Sequence, residues 1–410
     1  MKSLSKRLLD VPASAIRKLV PLAEKAKKDG VKVYHLNIGD PDIETPEVML
    51  DVLRNWTRKT IGYESSLGNK DFIASLLSYY HKLEYTFLDT PHIQVTNGGS
   101  EAIWMSLFSV ANPSEEIIVF EPFFTTYNSY AVINGVTIKP ILTTSDNGYH
   151  LPSQEIIEQA ITSKTKAILY CSPNNPTGTV YEKSEIEMLV AIAKKHGIFL
   201  ISDEVYREFA YDGRKQTSLL SYMQEIPEQA ILLDSLSKRY SLCGARLGVF
   251  ISLNQDLMAG VLRMAQARLS SGLVDQAMAA KLTQVPESYF QNVQTEYKAR
   301  RDVVYEGLKD IPGVKIPKPE GAFYTMVTLP IDDSEKFCRW LLTDFRDKDE
   351  TVMLAPAPGF YVTKGLGENE VRIAYVLSVP KLSRCIEILT KALKQYQNLS
   401  SRPGLERRIT

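Results

Sequence analysis

Asp234-Ser235-Leu236-Ser237-Lys238-Arg239-Tyr240-Ser241-Leu242-Cys243-Gly244-Ala245-Arg246-Leu247-Gly248 sets a single lysine just after a hydroxyl-rich strand end, with an arginine eight residues further on and glycines around that arginine. A lysine amine condenses with an aldehyde. Two serine hydroxyls and a guanidinium are a natural clamp for a phosphate. One small molecule that carries both groups is pyridoxal 5'-phosphate. A charged surface turn after a buried strand would use the same residue types, so the decision rests on what surrounds this stretch.

Outward from it, apolar β-type runs alternate with helical patterns. The expected strands are His92–Thr96, Ile117–Phe120, Val136–Ile141, Ala167–Cys171, Ile198–Ser202, Ala230–Asp234 and Leu247–Ser252. Between them the clearest helix is Ser184–His196, with Ser184 and Glu187 spaced as a capping box and Gly197 as its stop. Continuous apolar strands joined by helices predict an α/β fold, with a mostly parallel central sheet covered by helices on both faces. Such sheets bind ligands beyond the carboxyl ends of their strands. Past Val285 the pattern changes to a long charged helix, Glu287–Lys309, a Pro/Gly-rich break at 311–321, and short mixed elements. The expected division is an N-terminal arm joining the small domain (1–45), a large cofactor-binding domain (46–285), a smaller α+β domain (286–398) and a polar tail (399–410).

The whole chain narrows the function classes. Its 410 residues carry 48 Lys+Arg against 48 Asp+Glu, which argues against a polyanion-binding protein. Four well-separated cysteines and five histidines show no metal-ligand spacing, so no metal site is expected. With no apolar stretch of membrane-spanning length and no apolar run behind the basic start, a cytoplasmic protein is expected. There is no GxGxxG opening a βα unit, and the Gly62–Lys70 stretch lacks P-loop spacing.

Several polar motifs follow strands. Gly98-Gly99-Ser100 opens the helix 101–111; it fits an anion cradle at a helix N-terminus, or a tight turn with Ser100 as cap. Ser172-Pro173-Asn174-Asn175-Pro176-Thr177-Gly178 would aim the Asn175 amide into the crevice. Asp203-Glu204-Val205-Tyr206 offers a carboxylate for a pyridine nitrogen and a phenol for a phenolic oxygen, or a cap and a core residue. Phe124 could stack on an aromatic ring, or pack in the core. Arg372, flanked by Val371 and Ile373, needs an anion if it faces inward.

In this order, and with Asn37-Ile38-Gly39-Asp40-Pro41-Asp42 near the start, these motifs resemble the fold-type I pyridoxal-phosphate-dependent class I/II aminotransferases, closest to the bacterial aspartate aminotransferase subgroup. The resemblance runs from about residue 10 to 397. It implies the PLP-dependent transferase fold type I. It makes Lys238 the lysine that holds the cofactor and carries the proton. Asp203 would pair with the ring nitrogen, and Tyr206 and Asn175 would bond the phenolic oxygen. Ser235, Ser237 and Arg246, with the Gly99 and Ser100 backbone, would hold the phosphate. Phe124 would stack, in a position where the family often has tryptophan or tyrosine. Gly39, Phe124, Asn175 and Arg372 would meet the substrate, with Gly39 and Arg372 near its α-carboxylate. Tyr63 would reach the neighbouring subunit's phosphate, which implies a homodimer with shared active sites.

The implied reaction moves an amino group from an L-amino acid to a 2-oxo acid, with aspartate and 2-oxoglutarate as the leading pair. In many aspartate-preferring members a lysine follows the paired glycines; here that position is Ser100, with Arg268 and Lys364 as candidate substitutes for the distal carboxylate. Aromatic or neutral amino acids therefore compete, as does a C–S lyase of the same fold. A DNA-binding regulator would need a basic domain ahead of residue 46, which the balanced charge does not favour.

Overall fold

The computed structural model describes residues 4–400. Its first strand, β1 (Lys32–His35), stands outside the central sheet. That sheet is built from β2 (Ile93–Thr96), β3 (Glu116–Glu121), β4 (Thr137–Leu142), β5 (Thr165–Cys171), β6 (Phe199–Asp203), β7 (Ala230–Ser235) and β8 (Gly248–Ile251), in the order β2-β8-β7-β6-β5-β3-β4. Strands β5 and β7 are almost wholly buried, as continuous apolar runs covered on both faces must be. All seven expected strands are present, each within two residues of its expected ends.

The sheet is mixed, because β8 runs antiparallel to both β7 and β2. The cause lies in the quoted stretch. Residues 236–247 hold only a four-residue helical turn, Leu236–Arg239, and a 3₁₀ turn, without the full helix that usually carries a crossover to a parallel neighbour. The chain therefore doubles back. As a result the end of β2, the start of β8 and the end of β7 share one edge, with Thr96 opposite Gly248 and Gly248 opposite Ser235. Cys171 and Asp203 close the adjacent pair. Every strand-end motif singled out above opens on that edge.

Two details of the helices differ from expectation. The helix Lys183–His196 is capped by Glu182 with Glu185, not by Ser184 with Glu187. Glu185 is held there by other partners, accepting from Leu151 N (2.6 Å) and bonding His150 Nδ1 (2.8 Å). The helix Gly99–Val110 begins earlier than expected, with Gly98 at φ +79° as its cap and Ser100 inside it.

The remaining strands are β9 (Tyr324–Thr328), β10 (Glu350–Met353), β11 (Ala355–Pro356) and β12 (Glu370–Ala374). They form an antiparallel sheet in the order β11-β12-β9 and a parallel pair of β1 with β10. The helices Glu287–Leu308 and Val379–Ser400 pack on this second layer, whose core also takes Leu19, Ala23 and Leu36 from the start of the chain. Of the expected polar tail, Leu399 and Ser400 end the last helix, and 401–410 lie outside the described residues. No described helix is long and apolar enough to cross a membrane.

Gly248 is where strand and cradle meet. A Cβ there would stand 2.6 Å from both Gly98 O and Gly99 N. We expect Gly248→Ala to cost about 1–3 kcal/mol by overpacking, read as a lower denaturation midpoint, and to weaken cofactor affinity because the displaced backbone belongs to the Gly98–Gly99 turn.

Candidate active site

The common edge forms one wall of a cavity of about 650 Å³, closed on the other side by β9 and β12. Gly39, Gly99, Ser100, Phe124, Asn175, Asp203, Tyr206, Ser235, Ser237, Lys238, Arg246 and Arg372 all line it. Residues spread over more than three hundred positions of sequence are thus brought together. Tyr63 is not among them: it is 83% exposed and lies away from the cavity.

The turn carrying Lys238 is pinned from beneath. Asp234, fully buried, accepts from Arg239 Nη2 (2.6 Å), from Tyr80 OH (2.7 Å) and from Ser235 N (2.7 Å). Ser235 Oγ caps the short helix, accepting from Ser237 N, and donates to Leu247 O at 2.9 Å. Lys238 is left half-buried, its Nζ donating to Gly39 O at 2.8 Å with Cys243 Sγ 3.4 Å away. Gly39 has to be glycine, because a Cβ would collide with the Tyr324 hydroxyl.

Beside it is an anion cradle. Gly99 starts its helix, Ser235 and Ser237 hydroxyls lie 2.9 Å apart, and Arg246 stands at φ +52°, a left-handed conformation unusual for a side-chain-bearing residue. That conformation brings its guanidinium against the Gly98 turn, where an added Cβ would meet Nη2 at 2.6 Å. Helix N-terminal amides, two hydroxyls and a guanidinium converge, the donor set of a phosphate site.

Asp203 is buried and, among the described residues, no cation pairs with it. Its carboxylate accepts from Tyr127 OH (2.6 Å) and from Val205 N (3.4 Å). Burial pushes its pKa up to about 6, with the Tyr127 hydrogen bond opposing the rise. Arg372 is the mirror case, a guanidinium 1% exposed with no carboxylate partner among the described residues. It donates to Asn175 Oδ1 (3.0 Å) and Asn37 O (2.6 Å), lies 4.4 Å over the Tyr324 ring, and leaves Nε without a partner. Desolvation holds its pKa below the ordinary arginine value. From Asn175 the network continues to Tyr206 OH (3.3 Å) and on to Tyr324 OH (3.2 Å). Burial raises the Tyr206 pKa far above its ordinary value, so it remains a hydroxyl donor.

A buried carboxylate without a cation and a buried guanidinium without an anion are costly unless ligands complete them. A protonated pyridine nitrogen suits the first, a substrate carboxylate the second, and a phosphate the cradle between. These residues fit pyridoxal 5'-phosphate with an amino acid.

Neither candidate for a distal carboxylate is on the cavity wall. Arg268 is engaged by Glu101 Oε1 (3.2 Å), Ser271 Oγ (3.3 Å) and Val95 O (3.1 Å), and Lys364 is exposed to solvent. Sequence reasoning singled out neither Tyr127 nor Tyr324, named Asn37 only as part of a motif, and passed over Arg17, which lines the cavity. Tyr127 follows Phe124 by three positions and could have been suspected from that alone; Tyr324 bonds a residue 118 positions away and carries no local signal.

Comparison with known proteins gives the same picture. The family described as aminotransferase class I and II matches residues 31–389. The aspartate aminotransferase of Thermotoga maritima is 32% identical over 389 residues, covering 93% of this chain and 97% of that protein. An aromatic-amino-acid aminotransferase of Thermococcus litoralis is 29% identical, covering 96% and 99%. Among solved structures, a single mutant of Thermus thermophilus aspartate aminotransferase superposes with a TM-score of 0.86 at 26% identity, covering 96% of this chain and all of that one.

Proposed function

Because the chain belongs to the class I and II aminotransferases, enzymes that work with pyridoxal 5'-phosphate, we propose that it transfers the amino group of aspartate to 2-oxoglutarate. The observation that carries the reading is the presence of half-buried Lys238 and buried, anion-free Arg372 on opposite walls of one cavity. In this reading an amino acid whose carboxylate Arg372 holds would present its α-carbon to the Lys238 amine. The similar proteins named as aspartate aminotransferases support the choice of donor.

When bound, the cofactor supplies an electron sink for charge developing at the substrate Cα. Arg372 binds the substrate carboxylate through its planar fork and so fixes which Cα bond faces Lys238. Lys238 Nζ would take up the Cα proton and deliver it, on the same face, to the aldehyde-derived carbon of the cofactor. Asp203, kept from water by burial, holds a proton on the ring nitrogen. Tyr206 and Asn175 orient the phenolic oxygen, Gly99, Ser100, Ser235, Ser237 and Arg246 hold the phosphate, and Phe124 covers the ring. In this reading the chain divides at about residues 46 and 286, the cavity lies between the two layers, and Tyr63 serves the cavity of a second copy. Its high exposure is what such a role requires.

The test is a titration of the cofactor-loaded protein followed by visible absorbance, adding one amino acid at a time. A spectral change with aspartate or glutamate, with keto acid formed in equal amount, is the expected result. A response to phenylalanine or alanine and none to aspartate would replace the donor but keep the reaction class. Pyruvate and ammonia from a cysteine-type substrate would instead indicate a lyase.

A further inference from the structure

We propose that Arg17 is the specificity residue that binds the distal carboxylate of a dicarboxylic substrate. The inference rests on the transamination reading above and deepens it.

Four cations line the cavity: Lys238, Arg246, Arg372 and Arg17. The first three already have work in that reading, at the amine, the phosphate and the α-carboxylate. Arg17 is the remaining positive charge. Its backbone N–H bonds Ser14 O, but among the described residues its guanidinium has no hydrogen-bond or ion-pair partner. Around it the wall offers hydroxyls, from Ser14, Ser100, Thr125 and Thr126. These can donate hydrogen bonds to a carboxylate but cannot neutralise it.

The segment bearing Arg17 is fixed, and fixed to Arg372. Asn37 Nδ2 donates to Ile16 O at 2.8 Å, while Asn37 O accepts from Arg372 Nη2 at 2.6 Å. One asparagine therefore ties the backbone next to Arg17 to the guanidinium that would hold the α-carboxylate. On either side, Ala15 sits where Gly359 leaves room for it, Ile16 packs against the Phe360 cluster, and Lys18 pairs with Glu335. These neighbours are anchored to the small-domain layer, and of this segment Ser14, Ile16 and Arg17 reach the cavity wall, Arg17 being its one charged contributor. Two guanidiniums at a set separation, one buried and one at the mouth, form a ruler for a molecule with a carboxylate at each end. A planar guanidinium suits the outer carboxylate because it grips both oxygens.

Arg17→Gln and Arg17→Lys test this in the cofactor-loaded protein. We expect Arg17→Gln to lower the ratio of kcat/KM for aspartate to kcat/KM for alanine roughly 10- to 100-fold, the span set by losing one charge-assisted contact, with Arg17→Lys recovering part of it. Calorimetric binding of succinate, which has both carboxylates and no amine, should weaken by a similar factor. An unchanged ratio with unchanged succinate affinity overturns the assignment, as does an equal loss on both amino acids. The two readings fail separately. A wild-type protein inert to aspartate defeats the choice of donor, whereas the change in succinate binding on substitution still judges Arg17.

Discussion

Lys238→Ala should lose at least about 10⁴-fold in turnover, the upper end of what one positioned acid–base group contributes, and more if the amine's covalent role counts as well. The cofactor should still bind, because the phosphate cradle of Gly99, Ser235, Ser237 and Arg246 is untouched. Lys238→Arg separates charge from chemistry. It restores a cation near Gly39 O, yet a guanidinium cannot shed its proton at working pH. Both variants should therefore be nearly inactive, with circular dichroism and melting curves close to wild type. Turnover within tenfold of wild type in either one would remove Lys238 from the mechanism.

Asp203→Asn should lower kcat by roughly 10²–10³-fold, the usual cost of removing one preorganised electrostatic contact, and its stability should change in the opposite sense. Asp203 lies near 6 in the cofactor-free protein, above its ordinary value of 3.8. A carboxyl with a raised folded pKa favours the fold when protonated, and that contribution is lost as pH climbs from about 4 through 6. At pH 8 the wild-type protein without cofactor carries an unpaired buried charge, a penalty on the order of 3 kcal/mol at most. The asparagine variant escapes it. Without cofactor it should melt higher than wild type at pH 8, and the difference should vanish near pH 4. If both melt alike at pH 8, the carboxyl is not the strained group described here. The result would also show a residue kept for chemistry at the expense of stability.

Much of the architecture was legible because strands buried on both faces leave an unambiguous apolar signature, and because the strand-end motifs carry unusual residue types. The reversal of β8 was less visible. Direction depends on the length of a connection, and the helical turn at Leu236–Arg239 resembles the start of a crossover until its brevity is seen. The capping of Lys183–His196 escaped because the choice among neighbouring glutamates is made by His150, a residue distant in sequence. Within the site, the residues proposed to face the cofactor sit in strings long enough to read locally. Tyr324 does not: it matters through what it touches across the cavity, while Asn37 was read only as part of its motif and Arg17 stands in an unremarkable stretch before the first long helix.

The pairing of β1 with β10 joins residues 318 positions apart, as in the contact of Lys32 with Glu350. On a ribosome adding about 5–20 residues each second, the strand carrying Tyr34 waits tens of seconds for its partner to be made. Throughout that interval Leu19, Ala23 and Leu36 have no core to enter, and the loop with Gly39 cannot present its carbonyl to Lys238. The central sheet can assemble during synthesis, whereas a competent cavity cannot exist until the chain is nearly complete. A nascent chain should therefore need protection for its amino-terminal apolar face, and a fragment ending before Glu350 should be unable to assemble the site.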